Sequence, residues 1–355
     1  MKISVQKSIL EQVLSQMQPF LEKKDTSQIT SHVYMNASDS NLTIKATDYE
    51  IGLKTTIKNI DTKENGETTA NGKKLLDIVR ILKDEELIIE KKEDTLYIKQ
   101  GHSKFKLPTF DPSEFPTFPS IENRPKISID SYKFVTSLKK IAPAIDSNNP
   151  KFELNGALID IKEEFINLVA TDTRRLALVR LENSPETSLA LIVPKKAIQE
   201  IQKLFAEELE IYYEETNLII NSGDYLFFTK LINGKFPDYE RIIPSSLNYE
   251  LELSKSKMIE AIKQITTISN EIKLTFLKDR IIFKSLSEEN IEAQTEIEAQ
   301  TPFEEKFVMA VNSRYLLDFL SNIESENFQM GLNEPELPFL LKNDNFLTII
   351  MPIVI

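Results

Sequence analysis

Apolar residues recur along this chain at two spacings, and the two alternate. Strand-like alternation comes first, in Lys2-Ile3-Ser4-Val5-Gln6, where successive side chains point to opposite faces. It gives way to the three- and four-residue spacing of Leu10, Val13, Leu14 and Met17, which lays one apolar stripe along a helix. The same succession returns twice. Lys126-Ile127-Ser128-Ile129-Asp130 leads into Val135, Leu138, Ile141 and Ala142, and Glu250-Leu251-Glu252-Leu253-Ser254 leads into Ile259, Ile262 and Ile265. Lys2 aligns with Lys126 and with Glu250, a spacing of 124 residues both times.

A second helix is predicted later in each copy, opening at Lys73, at Pro194 and at Asn312. Pro194 suits a first helical turn, where a missing N–H costs nothing. Leu87-Ile88-Ile89-Glu90, Thr95-Leu96-Tyr97-Ile98 and Leu218-Ile219-Ile220-Asn221 read as strands. One further strand recurs 124 residues apart, as Ala46-Thr47-Asp48-Tyr49-Glu50-Ile51-Gly52-Leu53 and Ala170-Thr171-Asp172-Thr173-Arg174-Arg175-Leu176-Ala177-Leu178. A Phe-Pro pair recurs near the ends of the first two copies, at Phe115-Pro116 and Phe236-Pro237. Polar, proline-containing stretches at 119–125 and 244–248 mark boundaries. The expectation is three copies of one α+β domain, two helices packed on antiparallel sheets, at 1–122, 123–246 and 247–355.

Length agrees, since 355 residues exceed one ordinary core. The chain is 41% hydrophobic and 28% charged, a globular composition. No apolar run approaches the ~20 residues of a membrane span, and the start carries no apolar signal segment. A cytoplasmic protein is the expectation.

Chemistry is scarce. With no cysteine there is no disulfide, thiolate nucleophile or cysteine-held metal. The two histidines, His32 and His102, stand in no HExxH or Ser-His-Asp arrangement and read as ordinary strand or surface residues. Gly66-Glu67-Thr68-Thr69-Ala70-Asn71-Gly72-Lys73-Lys74 approaches a phosphate loop. It has five residues between the glycines instead of four, and Lys74 stands where a magnesium-binding hydroxyl belongs, so it reads as a turn before a helix. No acidic cluster has the spacing of a two-metal site. Asp48 and Asp172 recur by repetition, which points to a turn role. Neither nuclease nor nucleotide hydrolase is supported, and no cofactor or metal is expected.

A net charge of −12 argues at first against nucleic acid. Its distribution changes the picture. The helical windows 7–18 and 312–323 are neutral, 194–205 and 255–266 carry +2 each, and 73–83 and 131–142 carry +3 each. Together they hold +10, leaving −22 on the rest of the chain. Equivalent basic helices would face phosphates while acidic surface elsewhere repels them. No base-reading or stacking pattern accompanies the lysines, which suits backbone contact without sequence specificity.

Along its whole length the chain resembles the bacterial DNA polymerase III beta subunit family. The resemblance is carried by Leu154-Asn155-Gly156, Ala170-Thr171-Asp172-Thr173-Arg174-Arg175-Leu176-Ala177, Phe236-Pro237-Asp238-Tyr239-Glu240-Arg241-Ile242-Ile243-Pro244, Ile268-Ser269-Asn270-Glu271 and Ile350-Met351-Pro352-Ile353. It implies a non-catalytic sliding clamp that confers processivity on the replicative polymerase. The implied assembly is a head-to-tail homodimer forming a six-domain ring around duplex DNA, with helices lining the hole. Implied partners are the polymerase III catalytic subunit, the clamp loader, and other polymerases and repair proteins bearing clamp-binding peptides.

By resemblance, a partner-peptide pocket maps onto Leu154, Thr171, Thr173, Arg174, Arg175, Leu176, Pro237, Arg241, Ile242, Ile349, Met351, Pro352 and Ile353. An apolar groove rimmed by arginine suits a short extended peptide with Leu or Phe anchors. Thr173-Arg174 replaces the Gly-His or Ser-His of many relatives, making the rim bulkier and more cationic. DNA contact is implied for Lys24, Asn148, Lys151 and Phe152; the repeat extends it to Lys73, Lys139, Lys140, Lys195, Lys196 and Arg314. Asp25-Thr26-Ser27-Gln28 replaces a proline-rich pattern beside Lys24. Lys74, Phe105, Leu107, Thr267 and Ile268 match the dimer contact, with Thr267 polar where relatives can be apolar.

Overall fold

The structure is a computed structural model, and it describes residues 1–25, 27–182, 188–205, 208–286 and 291–354. Thr26, part of the departure beside Lys24, lies outside the described residues. The first copy runs β1 (Lys2–Gln6), α1 (Lys7–Met17), β2 (His32–Ser38), β3 (Asn41–Thr47), β4 (Ile51–Ile57), β5 (Asp61–Glu64), β6 (Gly66–Asn71), α2 (Gly72–Ile81), β7 (Glu86–Lys92), β8 (Thr95–Gln100) and β9 (Ser103–Pro108). The second runs β10 (Lys126–Ile127), α3 (Ser131–Ile141), β11 (Gly156–Ile161), β12 (Phe165–Thr171), β13 (Arg175–Glu182), β14 (Leu189–Pro194), α4 (Lys195–Leu204), β15 (Glu210–Tyr213), β16 (Asn217–Ser222) and β17 (Tyr225–Lys230). The third runs β18 (Tyr249–Ser254), α5 (Lys255–Ile265), β19 (Glu271–Phe276), β20 (Arg280–Ser285), β21 (Gln294–Glu298), β22 (Phe307–Asn312), α6 (Ser313–Leu320), β23 (Asn327–Leu332), β24 (Phe339–Asn343) and β25 (Phe346–Ile350). The helices α1, α3 and α5 start at 7, 131 and 255 and end at 17, 141 and 265, so the sequence period is also a structural one.

The chain forms two compact units. One, residues 1–132 and 203–231, holds the sheets β5-β1-β7-β8-β9 and β10-β15-β16-β17-β4-β3-β2-β6. The other, residues 133–202 and 232–355, holds β14-β11-β12-β13-β25-β24-β23-β18 and β21-β20-β19-β22. Each eight-stranded sheet joins two half-sheets from different copies, at a β17–β4 seam in one unit and a β25–β13 seam in the other. Helices bury one stripe against the sheets. Phe227 in the first unit meets Phe20 and Phe205 at 6.1 and 6.0 Å between ring centroids. In the second, Phe319 of α6 meets Phe346 and Phe328 at 5.1 and 5.7 Å, within the range where aromatic pairs attract.

Several expectations change. The recurring strand is a strand end, a tight turn and a new strand, because Asp48 and Asp172 take the amide hydrogens that a ladder would need. Asp48 Oδ1 accepts from the N–H groups of Glu50 (3.1 Å) and Ile51 (3.0 Å), and Asp172 Oδ1 from those of Arg174 and Arg175 (3.0 Å each). Pro194 is the last residue of β14, one position ahead of its helix. The sequence from Gly66 is strand β6 running straight into α2, where Asn71 Oδ1 caps the helix by accepting from Lys74 N–H at 3.0 Å. The buried stripes of α3 and α5 include Phe134, Met258 and Ala261, whereas Val135 and Ile259 are only half-buried. The strand before α3 shortens to Lys126–Ile127. His32 is a buried strand residue, and His102 is exposed in a turn. Among the described residues no helix is long and apolar enough to cross a membrane.

Candidate functional site

A sheet with helices on one face commonly shows polar residues on the other. The eight-stranded sheet of the first unit largely does. Thr69, Tyr34, Lys45 and Lys54 stand opposite one another across β6, β2, β3 and β4, and Glu67, Asn36, Thr43 and Thr56 form a second row. Burial and the ammonium of Lys54 hold the Lys45 ammonium below its ordinary value.

On the corresponding face of the second unit's eight-stranded sheet, Asp160, Asn167 and Arg180 keep one row polar and Lys342, Gln329 and Glu252 keep β24, β23 and β18 polar, but an apolar patch lies between them. The positions 124 residues beyond Tyr34, Lys45 and Lys54 are Leu158, Val169 and Leu178, opposite one another in β11, β12 and β13. Ile192 and Leu347 extend that row, and Thr171, Leu176, Ile349 and Leu340 form the next. Segment 232–243 lies over them. Its Phe236 and Tyr239 are buried in one cluster with Leu154, Leu176 and Ile349, and Ile243 and Leu340 pack against it half-buried. The Tyr239 hydroxyl donates to Asp160 Oδ2 (2.6 Å) and accepts from Asn167 Nδ2 (2.8 Å). Burial and the Asp160 carboxylate push its phenol well above the ordinary range.

The residues expected at the pocket separate into layers. Leu154, Thr171, Leu176 and Ile349 are buried. Pro237, Pro352 and Ile353 are half-buried, and Thr173, Arg174, Arg241, Ile242 and Met351 are exposed. The Arg241 side chain is 85% exposed, with Nε 2.7 Å from Asp238 Oδ2 in an ion pair. Met351 N–H donates to Arg174 O at 2.9 Å, which fixes the chain beyond β25 against the turn. The result is an apolar surface edged by two guanidinium groups and a thioether. Arg175 stands apart: its guanidinium is buried, bonded to Asp172, Asp318 and Pro143 O.

The residues expected to face DNA are mostly exposed: Lys24, Lys73, Lys139, Asn148, Lys151, Phe152, Lys196 and Arg314, with Lys140 and Lys195 half-buried. Lys195 Nζ donates to Ile145 O and Ser147 Oγ, both at 2.7 Å, so it braces the 146–155 loop. Asn149 and Asn155 cross-bond within that loop at 2.8 and 3.0 Å, and Phe152 is left 73% exposed. Of the residues expected at a dimer contact, Phe105 and Leu107 lie on the edge strand β9. Lys74 is exposed on α2, and Thr267 and Ile268 follow α5. Phe236, Tyr239, Leu158, Val169 and Leu178 were not among the residues expected at the pocket, although Phe236 and Tyr239 stand in motifs read from the sequence. Comparing the two copies position by position, Lys45 against Val169 and Lys54 against Leu178, is the signal that finds the last two.

Family models for the DNA polymerase III beta subunit match the chain in three parts: the N-terminal domain at residues 1–119, the central domain at 128–238 and the C-terminal domain at 240–354. A beta sliding clamp of Helicobacter pylori strain J99 is 38% identical over the whole of both chains. One from Pseudomonas aeruginosa is 28% identical over 99% of each. The crystal structure of the H. pylori beta clamp bound to a DNA ligase peptide superimposes with a TM-score of 0.95 at 39% identity, covering both chains fully. Matched from end to end in this way, the chain belongs to the DNA polymerase III beta subunit family, whose members are sliding clamps and not enzymes.

Proposed function

We propose that the apolar patch on the outer face of the β25–β13 sheet is where partner proteins dock a short peptide, and that the basic helices face duplex DNA. The observation that carries the first part is the change of Tyr34, Lys45 and Lys54 into Leu158, Val169 and Leu178 on an otherwise repeated face. Leu or Phe anchors fill the surface over Leu176 and Ile349, and Met351 adapts to different anchors. Arg174 and Arg241 take a peptide carboxylate or carbonyl. The DNA ligase peptide bound by the H. pylori relative supports the same use here. Partners of this kind are the polymerase III catalytic subunit, the clamp loader, and other polymerases and repair proteins with such peptides. Beside these partners, on the chromosome, the location is cytoplasmic.

Assembly follows from the sheet edges. The strands that join at the seams are the third strand after the opening strand's helix, β4 or β13, and the last strand of a copy, β17 or β25. Their counterparts left at sheet edges are β21 and β9. Pairing β21 of one copy with β9 of a second makes the same kind of seam, and head-to-tail pairing that closes after two copies gives a six-domain ring. The domains proposed are 1–122, 123–246 and 247–355. Lys24, Lys73, Lys139, Lys140, Asn148, Lys151, Phe152, Lys195, Lys196 and Arg314 then contact phosphates without reading bases.

Titration calorimetry with a DNA ligase peptide tests the pocket. Met351→Ala and Arg241→Ala each weaken binding about tenfold or more, by losing an anchor contact or a charge-assisted bond, and leave the native mass unchanged. Equal affinity of wild type and both variants rejects the assignment.

A further inference from the structure

We propose that Asp318 of α6 is a positioning residue for the pocket rim, acting through Arg175. The proposal rests on the reading of this face as a peptide site and adds what holds its rim in place. The repeat supplies an internal control. In both copies the same bonds close the turn: a Thr hydroxyl donates to the carbonyl four residues on, Thr47 to Ile51 at 2.9 Å and Thr171 to Arg175 at 2.6 Å. It also accepts from the N–H two residues on, Tyr49 at 3.0 Å and Thr173 at 3.2 Å. Tyr49 and Thr173 have φ of 71° and 73°. The turn therefore needs no arginine, and the first copy has Ile51 in that place, buried by packing alone.

In the second copy the residue is Arg175, 8% exposed. Nε donates to Asp172 Oδ2 at 3.0 Å, Nη1 to Asp318 Oδ2 at 2.6 Å, and Nη2 to Pro143 O in the turn following α3. The guanidinium carbon lies 4.4 Å over the Tyr315 ring centroid. A buried guanidinium persists only where its charge and donors are answered. Without Asp318 the charge is left under-compensated, and Arg175 gains solvation by moving outward with its backbone. That backbone is the rim, since it carries Thr173 and Arg174 and bonds Met351 N–H through Arg174 O. The tether is present at the turn beside the apolar patch and absent at the turn beside the polar face.

The test uses the full-length chain with Asp318→Ala, the isosteric Asp318→Asn, and Tyr315→Phe, which keeps the stacking ring. Phe319→Leu on the same helix, which loosens the core without touching Arg175, is the stability control. Amide hydrogen exchange by mass spectrometry follows segment 171–176 against its counterpart 47–52, and calorimetry follows a DNA ligase peptide. Expected is faster exchange at 171–176 alone and at least tenfold weaker binding for Asp318→Ala. Asp318→Asn should be intermediate, and Tyr315→Phe and Phe319→Leu should bind as wild type does. Unchanged exchange at 171–176 in both Asp318 variants overturns the tether, whatever the peptide does. Faster exchange with wild-type affinity, or equal weakening by Phe319→Leu, overturns its role at the rim. If the wild-type chain does not bind the peptide, the pocket reading fails, and exchange still decides the tether.

Discussion

At the residue scale, a side chain can substitute for backbone partners or depend on them. Asp48 and Asp172 substitute: each carboxylate takes two N–H groups at a hairpin turn. His32 depends on its surroundings. Its ring packs 4.4 Å from Phe110, and Nδ1 meets the Thr69 hydroxyl at 3.2 Å. Burial pushes the imidazole down to about 4. Free histidine titrates near 6.5, so between pH 6.5 and 4 the unfolded chain takes up a proton that the folded chain refuses. Stability from this site is complete above pH 6.5 and falls as pH drops through that window, by at most about 1.4 kcal/mol per pH unit. The expected outcome is a Tm that falls more between pH 7 and pH 5 in wild type than in His32→Asn; parallel losses in thermal melts would refute it. Repetition alone made the aspartates legible as turn residues. The orientation of Arg175 was not legible, because reading 170–178 as one strand places Thr171 and Leu176 on opposite faces. The hairpin sets them opposite each other on the same face, and Arg175 turns to the other.

At the scale of elements, the three opening helices were readable to within a residue or two, because the apolar stripe and the 124-residue period agree on their position. Sheet order was not readable. Nothing local in Tyr225–Lys230 states that it pairs with β4, 168 or more residues away, since any alternating strand satisfies its own backbone against any other. That order is what exposes β9 and β21 as unmatched edges, and edges of this kind are liabilities unless charged or paired. Here the charges are opposite. Lys104 and Lys106 are exposed on β9, and Glu296 and Glu298 on β21. If these edges pair between copies, Lys104→Glu with Lys106→Glu opposes like charges, and native mass spectrometry at micromolar concentration detects monomer. Adding Glu296→Lys and Glu298→Lys to the same chain restores the attraction with its sign reversed, and the dimer returns. A dimer that survives the first pair of changes excludes this seam.

At the scale of the whole molecule, a net charge of −12 and a DNA partner are compatible because total charge governs solubility while local charge governs contact. Lysines without base-reading partners give binding that weakens steeply with salt, as condensed counterions compete for the phosphates. Affinity of that kind lets a protein leave DNA anywhere along its length. Topology does not: a closed ring leaves only over an end. The two are separated by placing the protein on a nicked circular plasmid with its clamp loader, raising the salt, and isolating the DNA by gel filtration. The expected outcome is retention on the circle at a salt concentration that abolishes binding to a linear duplex of the same sequence. Cutting the circle once should then release the protein, and blocking both new ends with bulky bound proteins should prevent release. Retention on cut, unblocked DNA would mean that contacts hold the chain in place, and the sliding ring would have to be abandoned even if every lysine named here touched a phosphate.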